Sequence, residues 1–496
     1  MVNHISPHSS NNLSHSSLLT HFKKMFIYIQ RAPLHGDIAM EKFDVLVIGS
    51  GSGMIIASNA VANGLKTAVV ESGPMGGTCV NRGCIPSKML IYPADVVAVI
   101  EEAKKVGVNA TINSIDFKEI MTRMRGFVTE DSQHQAEGVE ATPNLVWFKT
   151  VGEFVSDYTM KVGEQTIKAD RIFIVSGARP GIPPIKGMDK MDYLTSDTAL
   201  DLEEPPESMI IIGGGYIAAE YGHFFASMGT EVTIIQRSQR LLPEEEPEIS
   251  ELLKKEMSKR MRIFTNYEAV EAKEQNHVKT IIAENRENSD LKEFSTETLL
   301  VAAGRVPNSD LLKPEKTGVT TDERGYVKVN EYLETGKKNI WALGDAIGKE
   351  MFKHVANYEA EVAWHNSVHE HKVKMDYSAA PHAVFTHPQI ASVGLKEAEA
   401  KQKGFKILVG KAYYKDTALG AAMGEPEGFV KVIVEKETGK LLGSHIIGPY
   451  ASILIQEVIN AMVIGDKTFL PIIRAMHIHP AMPEVVQRAF GNLKEA

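Results

Sequence analysis

Two apolar runs that each enter a glycine-rich turn, and a C-terminal stretch that lacks one, predict an α/β chain. It should hold two Rossmann-like nucleotide-binding domains followed by an α+β domain. The first unit is the run at 43–48 entering Gly49-Ser50-Gly51-Ser52-Gly53-Met54; the second is Met209-Ile210-Ile211-Ile212 entering Gly213-Gly214-Gly215-Tyr216-Ile217-Ala218. A third observation ties them together: the only two cysteines in 496 residues, Cys79 and Cys84, lie just after the first unit.

The run at 43–48 is apolar enough for a strand buried on both faces. Gly49 and Gly51 then allow the backbone close to a pyrophosphate at a helix N-terminus. The fingerprint places its third glycine at Met54. Methionine there is expected to push the helix off the strand unless Gly53 takes up the contact. A second strand at 67–70 ends in Glu71, twenty residues after Gly51 and placed for a ribose hydroxyl.

Between Cys79 and Cys84 the spacing is five, too far along a regular helix for a disulfide, whose Cα atoms must approach within about 7 Å. The backbone there is therefore distorted, which Gly83 and Asn81 permit. Pro86 suits a first helical position and sets Cys84 against a helix N-terminus, where a thiolate is favoured. The segment reads as a redox-active dithiol, the plain alternative being two buried free cysteines.

Residues 100–138 are helical scaffold. Gly152 lies in a short extended segment, a hairpin spans 158–167, and the apolar strand at 172–175 exits through Ser176-Gly177-Ala178-Arg179-Pro180. The second turn, Gly213 to Ala218, matches the full dinucleotide fingerprint. The strand after it, at 231–235, ends in Gln236-Arg237-Ser238-Gln239-Arg240. An acid at 236 would hold both ribose hydroxyls of NAD; its absence, with Arg237 and Arg240 at hand, favours the 2′-phosphate of NADP. The alternative leaves both arginines solvated and Gln236 on the ribose of NAD.

An apolar strand at 298–303 ends in Gly304-Arg305-Val306-Pro307-Asn308, and a strand over 335–343 enters Gly344-Asp345. Lys353-His354-Val355-Ala356-Asn357 follows. From 376 onward the pattern is α+β, with strands at 384–385 and 429–434 and helices at 395–403 and 453–463. Near its end, His479 precedes Glu484 by five residues, a spacing suited to a carboxylate that orients an imidazole base. His387-Pro388 has Ser392 at the corresponding place and lacks that partner. His477 and His479 have no cysteine or acidic cluster beside them, so no metal site is expected.

A length of 496 residues suggests three or four domains. A net charge of −9 gives no support for nucleic-acid binding. Two cysteines cannot form a disulfide framework, which points to a reducing, cytoplasmic setting. Residues 1–39, rich in Ser, His and Asn, contain no apolar run long enough to span a bilayer. They are expected to be a disordered or over-long extension.

The thirteen residues from Gly76 to Lys88 closely resemble the active-site segment of the class I FAD-dependent pyridine nucleotide-disulfide oxidoreductases, and the resemblance extends over 41–490. It implies an FAD-binding domain at 40–180, an NAD(P)-binding domain at 181–305, a second FAD segment at 306–375 and a dimerisation domain at 376–496. At FAD it places Gly49, Gly51, Ser52, Gly53, Glu71, Gly77, Thr78, Lys88, Gly152, Ser176, Gly177, Gly344, Asp345 on the ribitol, and His354. At NAD(P) it places Gly213, Gly215, Tyr216 as a shield of the nicotinamide pocket, Ile217, Glu220, Gln236, Arg237, Arg240 and Gly304. Lys88 and Glu220 pair near the flavin ring, Cys84 lies against the flavin, and Cys79 exchanges with substrate. His479 and Glu484 come from the other subunit, which implies a homodimer with composite sites and neither membrane nor nucleic-acid partners.

Within the family the segments around Gly49, Lys88, Lys353 and His479 look most like mycothione reductase, acting on a small-molecule disulfide. Mercuric reductase is disfavoured because no cysteine follows Cys84. Dihydrolipoamide dehydrogenase, oxidising a protein-bound lipoyl dithiol with NAD, is the alternative. A flavoprotein binding subunit without turnover is a third reading.

Overall fold

The computed structural model describes residues 40–496, and the expectation for 1–39 lies outside them. The first apolar run forms β1 (Glu41–Ile48), fully buried over its last four residues. It leads through α1 (Gly53–Ala62) to β2 (Thr67–Val70), which pairs parallel with it. α2 (Gly77–Asn81) and α3 (Cys84–Glu102) follow, and α4 (Phe117–Ala141) crosses to β3 (Leu145–Phe148) at the outer edge. β4 (Gly152–Ser156), β5 (Thr159–Val162) and β6 (Gln165–Ile174) form an antiparallel meander. β6 also runs parallel along β1, from Ile167 to Ile174, giving the order β3-β2-β1-β6-β5-β4.

The second glycine turn sits in its own parallel sheet. β7 (Ser208–Ile212) enters α5 (Tyr216–Ser227) and then β8 (Glu231–Gln236), β9 (Arg262–Thr265) and β10 (Thr298–Val301), in the order β9-β8-β7-β10 with Leu194–Thr195 at the edge. α3 is buried at Leu90, Ile91, Ala94 and Val97 in a core shared with α4 and α5. The helical run Gly77–Val106 is long and apolar enough to cross a membrane by composition. That composition follows from its place in this core on one side and an exposed apolar side, Tyr92, Val96 and Val99, on the other.

The chain returns to the first sheet with β11 (Ile340–Ala342), which pairs parallel with β6, and continues into α6 (Lys353–Val368). The strand expected over 335–343 is thus only three residues long. Asn339, at φ 60°, turns the backbone just before it, and Thr335 N–H closes that turn on Ile340 C=O at 2.9 Å. A Gly-Lys-Lys-Asn run at 336–339 is turn chemistry that hydrophobic pattern alone conceals.

The C-terminal part is an antiparallel sheet of β12 (Pro381–Val384), β13 (Ile390–Gly394), β14 (Ile407–Tyr413), β15 (Phe429–Glu435) and β16 (Leu441–Ile447), ordered β12-β13-β16-β15-β14 with Lys494–Glu495 outside β14. α7 (Ala451–Val463) packs on it, and α8 (Glu484–Gly491) follows the His-Pro segment. Lys431 on β15 is buried among Glu246 (3.2 Å), Glu248 (3.0 Å) and Glu397 (2.8 Å). A buried cation needs such partners, because unpaired it would face a desolvation cost of several kcal/mol. The cluster fastens the C-terminal sheet to the segment that follows β8.

Candidate active site

The dithiol straddles a helix break. Cys79 lies on the short α2 and Cys84 is the first residue of α3. Arg82 and Gly83 supply the break with non-helical backbone (φ −145°, ψ 5° and φ −130°, ψ −112°), and a Cβ on Gly83 would sit 3.0 Å from Thr78 O. α3 therefore starts two residues earlier than Pro86 suggested, placing the sulfur of Cys84 in the first helical turn. Asn81 acts through its side chain: Nδ2 donates to Met75 O (2.9 Å) and Gly77 O (3.0 Å), pinning the loop ahead of the cysteines.

In this reduced state the Cys79 thiol donates to the Cys84 sulfur. That hydrogen bond holds Cys84 down at about 7, with the nearby Lys88 ammonium assisting against the opposing effect of burial. The same hydrogen bond, with burial, pushes Cys79 up. One sulfur is thus a thiolate near neutrality and the other its proton donor, a division that suits two successive roles in thiol-disulfide exchange. Lys88 Nζ donates to Glu220 Oε2 at 2.7 Å, and Glu220 is almost wholly buried on α5. Phe385 completes this pair: its N–H donates to Glu220 Oε1 at 3.0 Å and Lys88 lies over its ring.

The first glycine turn abuts the dithiol loop. A Cβ on Gly77 (φ +61°) would fall 2.8 Å from Gly51 Cα, so loop and turn are in backbone contact. Gly49 (φ +107°) approaches Val175 O so closely that a Cβ would lie 2.2 Å away. Gly53, rather than residue 54, makes the helix–strand contact: its Cβ would meet Val47 Cγ1 at 2.6 Å, while Met54 is partly buried against the edge of the core. The displaced glycine thus leaves α1 seated on β1.

The arrangement fits a dinucleotide. The first turn of α1 carries no acid, and Ser52 at its N-cap makes no capping bond. Gly51 faces open space, and the Ser176 hydroxyl, one residue beyond Val175, is buried without a partner. Glu71 Oε2 accepts from Ser50 N and Oγ, both at 3.0 Å, and Oε1 from Gly73 N at 2.8 Å, so its carboxylate is fixed beside the turn. Gly152 packs so tightly on Met160 and Val70 that no side chain fits, Gly177 turns at φ +68°, and Thr78 is exposed.

Gly344 (φ +66°) and Asp345 follow β11, with Gly344 N–H donating to the buried Glu359 at 2.6 Å. Asp345 faces Arg305 at 3.4 Å, and burial raises its pKa. His354 turns away from this turn: Nε2 meets Pro381 O at 2.7 Å and the ring stacks on Phe352. Its neighbour Lys353 reaches Ser52 Oγ instead, at 3.1 Å.

At the second turn, a Cβ on Gly213 (φ +122°) would lie 2.2 Å from Ala302 O, and Gly215 faces open space at the N-terminus of α5. Tyr216 and Ile217 begin that helix half-buried. Burial pushes the Tyr216 phenol up to about 12, and its ring packs 5.8 Å from Phe352. Gln236 is buried against Gly214, Arg237 is exposed, and Arg240 stands 3.7 Å from Glu251. Gly304 turns at φ +130° after β10.

His479 is highly exposed, with Nδ1 2.9 Å from Glu484 Oε1; Glu484 Oε2 accepts from Ala481 N at 3.2 Å. The imidazole beside it holds the Glu484 carboxyl below its usual range. Among the described residues this pair makes no hydrogen bond with either cysteine of its own chain. His477 instead meets Glu457 at 3.2 Å. His387, which lacks a carboxylate at the fifth following residue, finds one across the fold in Glu102 at 3.0 Å.

Sequence reasoning missed Phe385, Glu359, Arg305 and Asn308 as parts of this region, whereas the resemblance already sets the Lys353–Asn357 segment near the flavin. Arg305 and Asn308 stood in the run after Gly304, and Asn308 Nδ2 donates to Ser176 O at 2.8 Å, joining the exits of the two nucleotide units. Phe385 and Glu359 carry no local signal, since each acts on a residue distant in sequence.

Residues 43–360 match the family described as pyridine nucleotide-disulphide oxidoreductase, and 380–490 match its dimerisation domain. Mycothione reductase of Mycobacterium tuberculosis is 37% identical over 92% of this chain and 100% of its own length. Dihydrolipoyl dehydrogenase of Chlamydia pneumoniae is 36% identical over 90% and 95%. Mercuric reductase of Staphylococcus aureus is 35% identical over 85% and 77%. Among solved structures, the Cu(II) complex of the HOCl-induced flavoprotein disulfide reductase RclA from Escherichia coli superposes with a TM-score of 0.81 at 26% identity, covering 91% of this chain and 99% of that one. With both nucleotide turns, the dithiol and matched models over both parts of the fold, the chain belongs to the FAD-dependent pyridine nucleotide-disulphide oxidoreductases, enzymes that use FAD and NAD(P)H.

Proposed function

We propose that the chain is a homodimeric, NADPH-dependent reductase of a small-molecule disulfide, similar in task to the mycobacterial relative named for mycothione. The observation that carries the direction is the end of β8: no acid stands at 236, and Arg237 is exposed and free of any ion pair among the described residues. Arg240 is partly engaged by Glu251, which makes Arg237 the principal candidate for a 2′-phosphate.

Bound FAD and NADPH supply the hydride chemistry that delivers two electrons to the Cys79–Cys84 disulfide. The protein residues carry out the rest. The glycine turns and the N-termini of α1 and α5 bind the pyrophosphates. Lys88 and Glu220 fix a charge pair beside Cys84. The reduced Cys79 sulfur attacks the substrate disulfide, forming a mixed disulfide as the substrate S–S bond breaks. The departing thiolate takes a proton from His479. Cys84 then displaces the second substrate thiolate, which is protonated in turn, and the Cys79–Cys84 disulfide re-forms. Two electrons and two protons leave the dithiol and appear as two substrate thiols.

His479 and Glu484 are read as serving the partner's dithiol. In support, the segment that carries them is apolar and open, with Met476 100% and Ile478 79% exposed, and Tyr450, Ile453 and Ile464 nearby in sequence are exposed as well. A Met476→Asp, Ile478→Asp double variant is expected to be monomeric by light scattering, to retain FAD, and to lose disulfide reduction. A monomer with full turnover would overturn the composite site.

Cofactor choice is tested by Arg237→Glu with Arg240→Glu. Steady-state KM for NADPH should rise at least about tenfold more than that for NADH, in line with loss of charge-assisted phosphate contacts. Equal losses would remove the case for NADP. The overall reading is tested by anaerobic titration of the flavoprotein with each nucleotide, followed by a panel of small disulfides. Preferential reduction by NADH would instead direct attention to dihydrolipoamide.

A further inference from the structure

The segment that follows β8 is tied in two directions. Leu242 N–H donates to Gly214 O in the second glycine turn at 2.7 Å, and Glu245 N–H donates to Leu242 O at 2.9 Å. Glu245 sets its carboxylate against the C-terminal sheet, where it is almost wholly buried. His382 on β12 and Ser392 on β13 are cross-strand partners, so their side chains leave the same face of that sheet. Both meet the carboxylate: His382 Nε2 stands 2.5 Å from Oε1, and Ser392 Oγ donates to Oε2 at 2.6 Å. An ionised carboxylate only accepts, so the proton of the first bond sits on Nε2 and the imidazole is held in one orientation.

Fastening the two parts of the fold does not require this arrangement, since Lys431 already joins them through the neighbouring Glu246. What His382 adds is an aromatic face. Its imidazole lies nearly parallel to the Phe352 ring, with centroids 5.5 Å and planes 8° apart, and His354 does the same at 5.8 Å and 15°. His354 is itself held by Pro381 O, the residue before His382. The start of β12 thus fixes both imidazoles that stack on Phe352. Phe352 in turn packs 5.8 Å from Tyr216, which leaves the same glycine turn that Leu242 binds. The contacts close a circuit through Gly214, Leu242, Glu245, His382, Phe352 and Tyr216.

A side chain that covers a pocket must move when the pocket fills, so the contacts that hold it set how easily it is displaced. We propose that Phe352 is the backstop of Tyr216: clamped through His382 by Glu245, it holds the tyrosine over the nicotinamide pocket and is a positioning residue for nucleotide entry. This rests on Tyr216 being the shield of that pocket.

The test uses the purified flavoprotein carrying Phe352→Ala or His382→Ala, each made in the parent and in a Tyr216→Ala background. Two quantities are read: the NADPH concentration that half-saturates flavin reduction in anaerobic stopped flow, and the quenching of flavin fluorescence by acrylamide. In the parent background Phe352→Ala should lower the half-saturating concentration about fivefold and raise the quenching constant about twofold, as loss of one aromatic pair implies. His382→Ala should move both in the same direction by less. In the Tyr216→Ala background either substitution should change both readouts by less than about 1.5-fold, because the group they act on is gone. Phe352→Tyr, which keeps the ring, should return both to the parent values. Equal effects in the two backgrounds, or none in the parent, would overturn the assignment and leave a purely structural cluster. Should Phe352→Ala fail to accumulate, His382→Ala, which truncates a half-buried side chain, decides the same comparison. If NADPH does not reduce the parent, the functional reading fails, yet acrylamide quenching still decides whether Phe352 acts through Tyr216. If Tyr216→Ala alone leaves quenching unchanged, Tyr216 is no shield and the proposal falls with it.

Discussion

Cys79→Ser and Cys84→Ser are each expected to lower nucleotide-driven disulfide reduction by at least about a thousandfold while FAD stays bound, because the two sulfurs act as a unit and neither has a substitute. Cys84 is one of only two cysteines in the chain, and without it a mixed disulfide on Cys79 has no resolving thiol. Steady-state assays with a small disulfide, alongside the flavin absorbance of each variant, check this. Retention of more than a few per cent of turnover would mean that electrons reach substrate by another route. Cys79→Ala adds a pH test. The Cys84 thiolate, held at about 7, forms above that pH and is lost below it. Removing the Cys79 donor takes away the largest cause of the lowering, so the midpoint should rise toward that of an ordinary thiol. Thiolate absorbance over a pH series reads the shift.

The second large effect is at His479. His479→Ala should slow the exchange with substrate by about a hundredfold to ten-thousandfold, the usual range for a positioned acid–base group. Reduction of the protein by NADPH should be nearly unchanged, and stopped-flow measurement of the two half-reactions separates them. Glu484→Gln leaves a hydrogen-bonding partner at 2.9 Å from Nδ1 but removes its charge, so its loss should be smaller. If His479→Ala slowed both half-reactions equally, the residue would be structural and the His-Glu pair no proton donor.

Much of this architecture was legible because its signals are local. Two apolar strands with glycine turns announced two parallel sheets, and the glycines needed there follow from backbone approaches that no side chain permits, as at Gly49 and Gly213. The concern over Met54 dissolved once Gly53 proved to face Val47: the fingerprint tolerates a one-residue shift when the smaller residue still faces the strand. The dithiol, Lys88 and the His479–Glu484 pair could be named for the same reason. Contacts that depend on distant pairing could not. Glu102 meets His387, Phe385 seats Glu220, and Glu359 holds Gly344, none of them separated by a helical or strand period. The overlong strand at 335–343 had a different cause: only 340–343 are apolar, and the Gly-Lys-Lys-Asn run before them is a turn that Asn339 makes with a positive φ.

The contact between Gly77 and Gly51 has a meaning for engineering. Because a Cβ at 77 would fall 2.8 Å from the backbone of residue 51, the loop bearing the sulfurs and the turn before α1 form a single cassette. Transplanting one into a foreign scaffold without the other would bring either a steric collision or a gap. Randomised libraries around the cysteines should hold position 77 constant, because the atoms it would strike belong to the backbone of residue 51 and are there whatever side chain stands at 51.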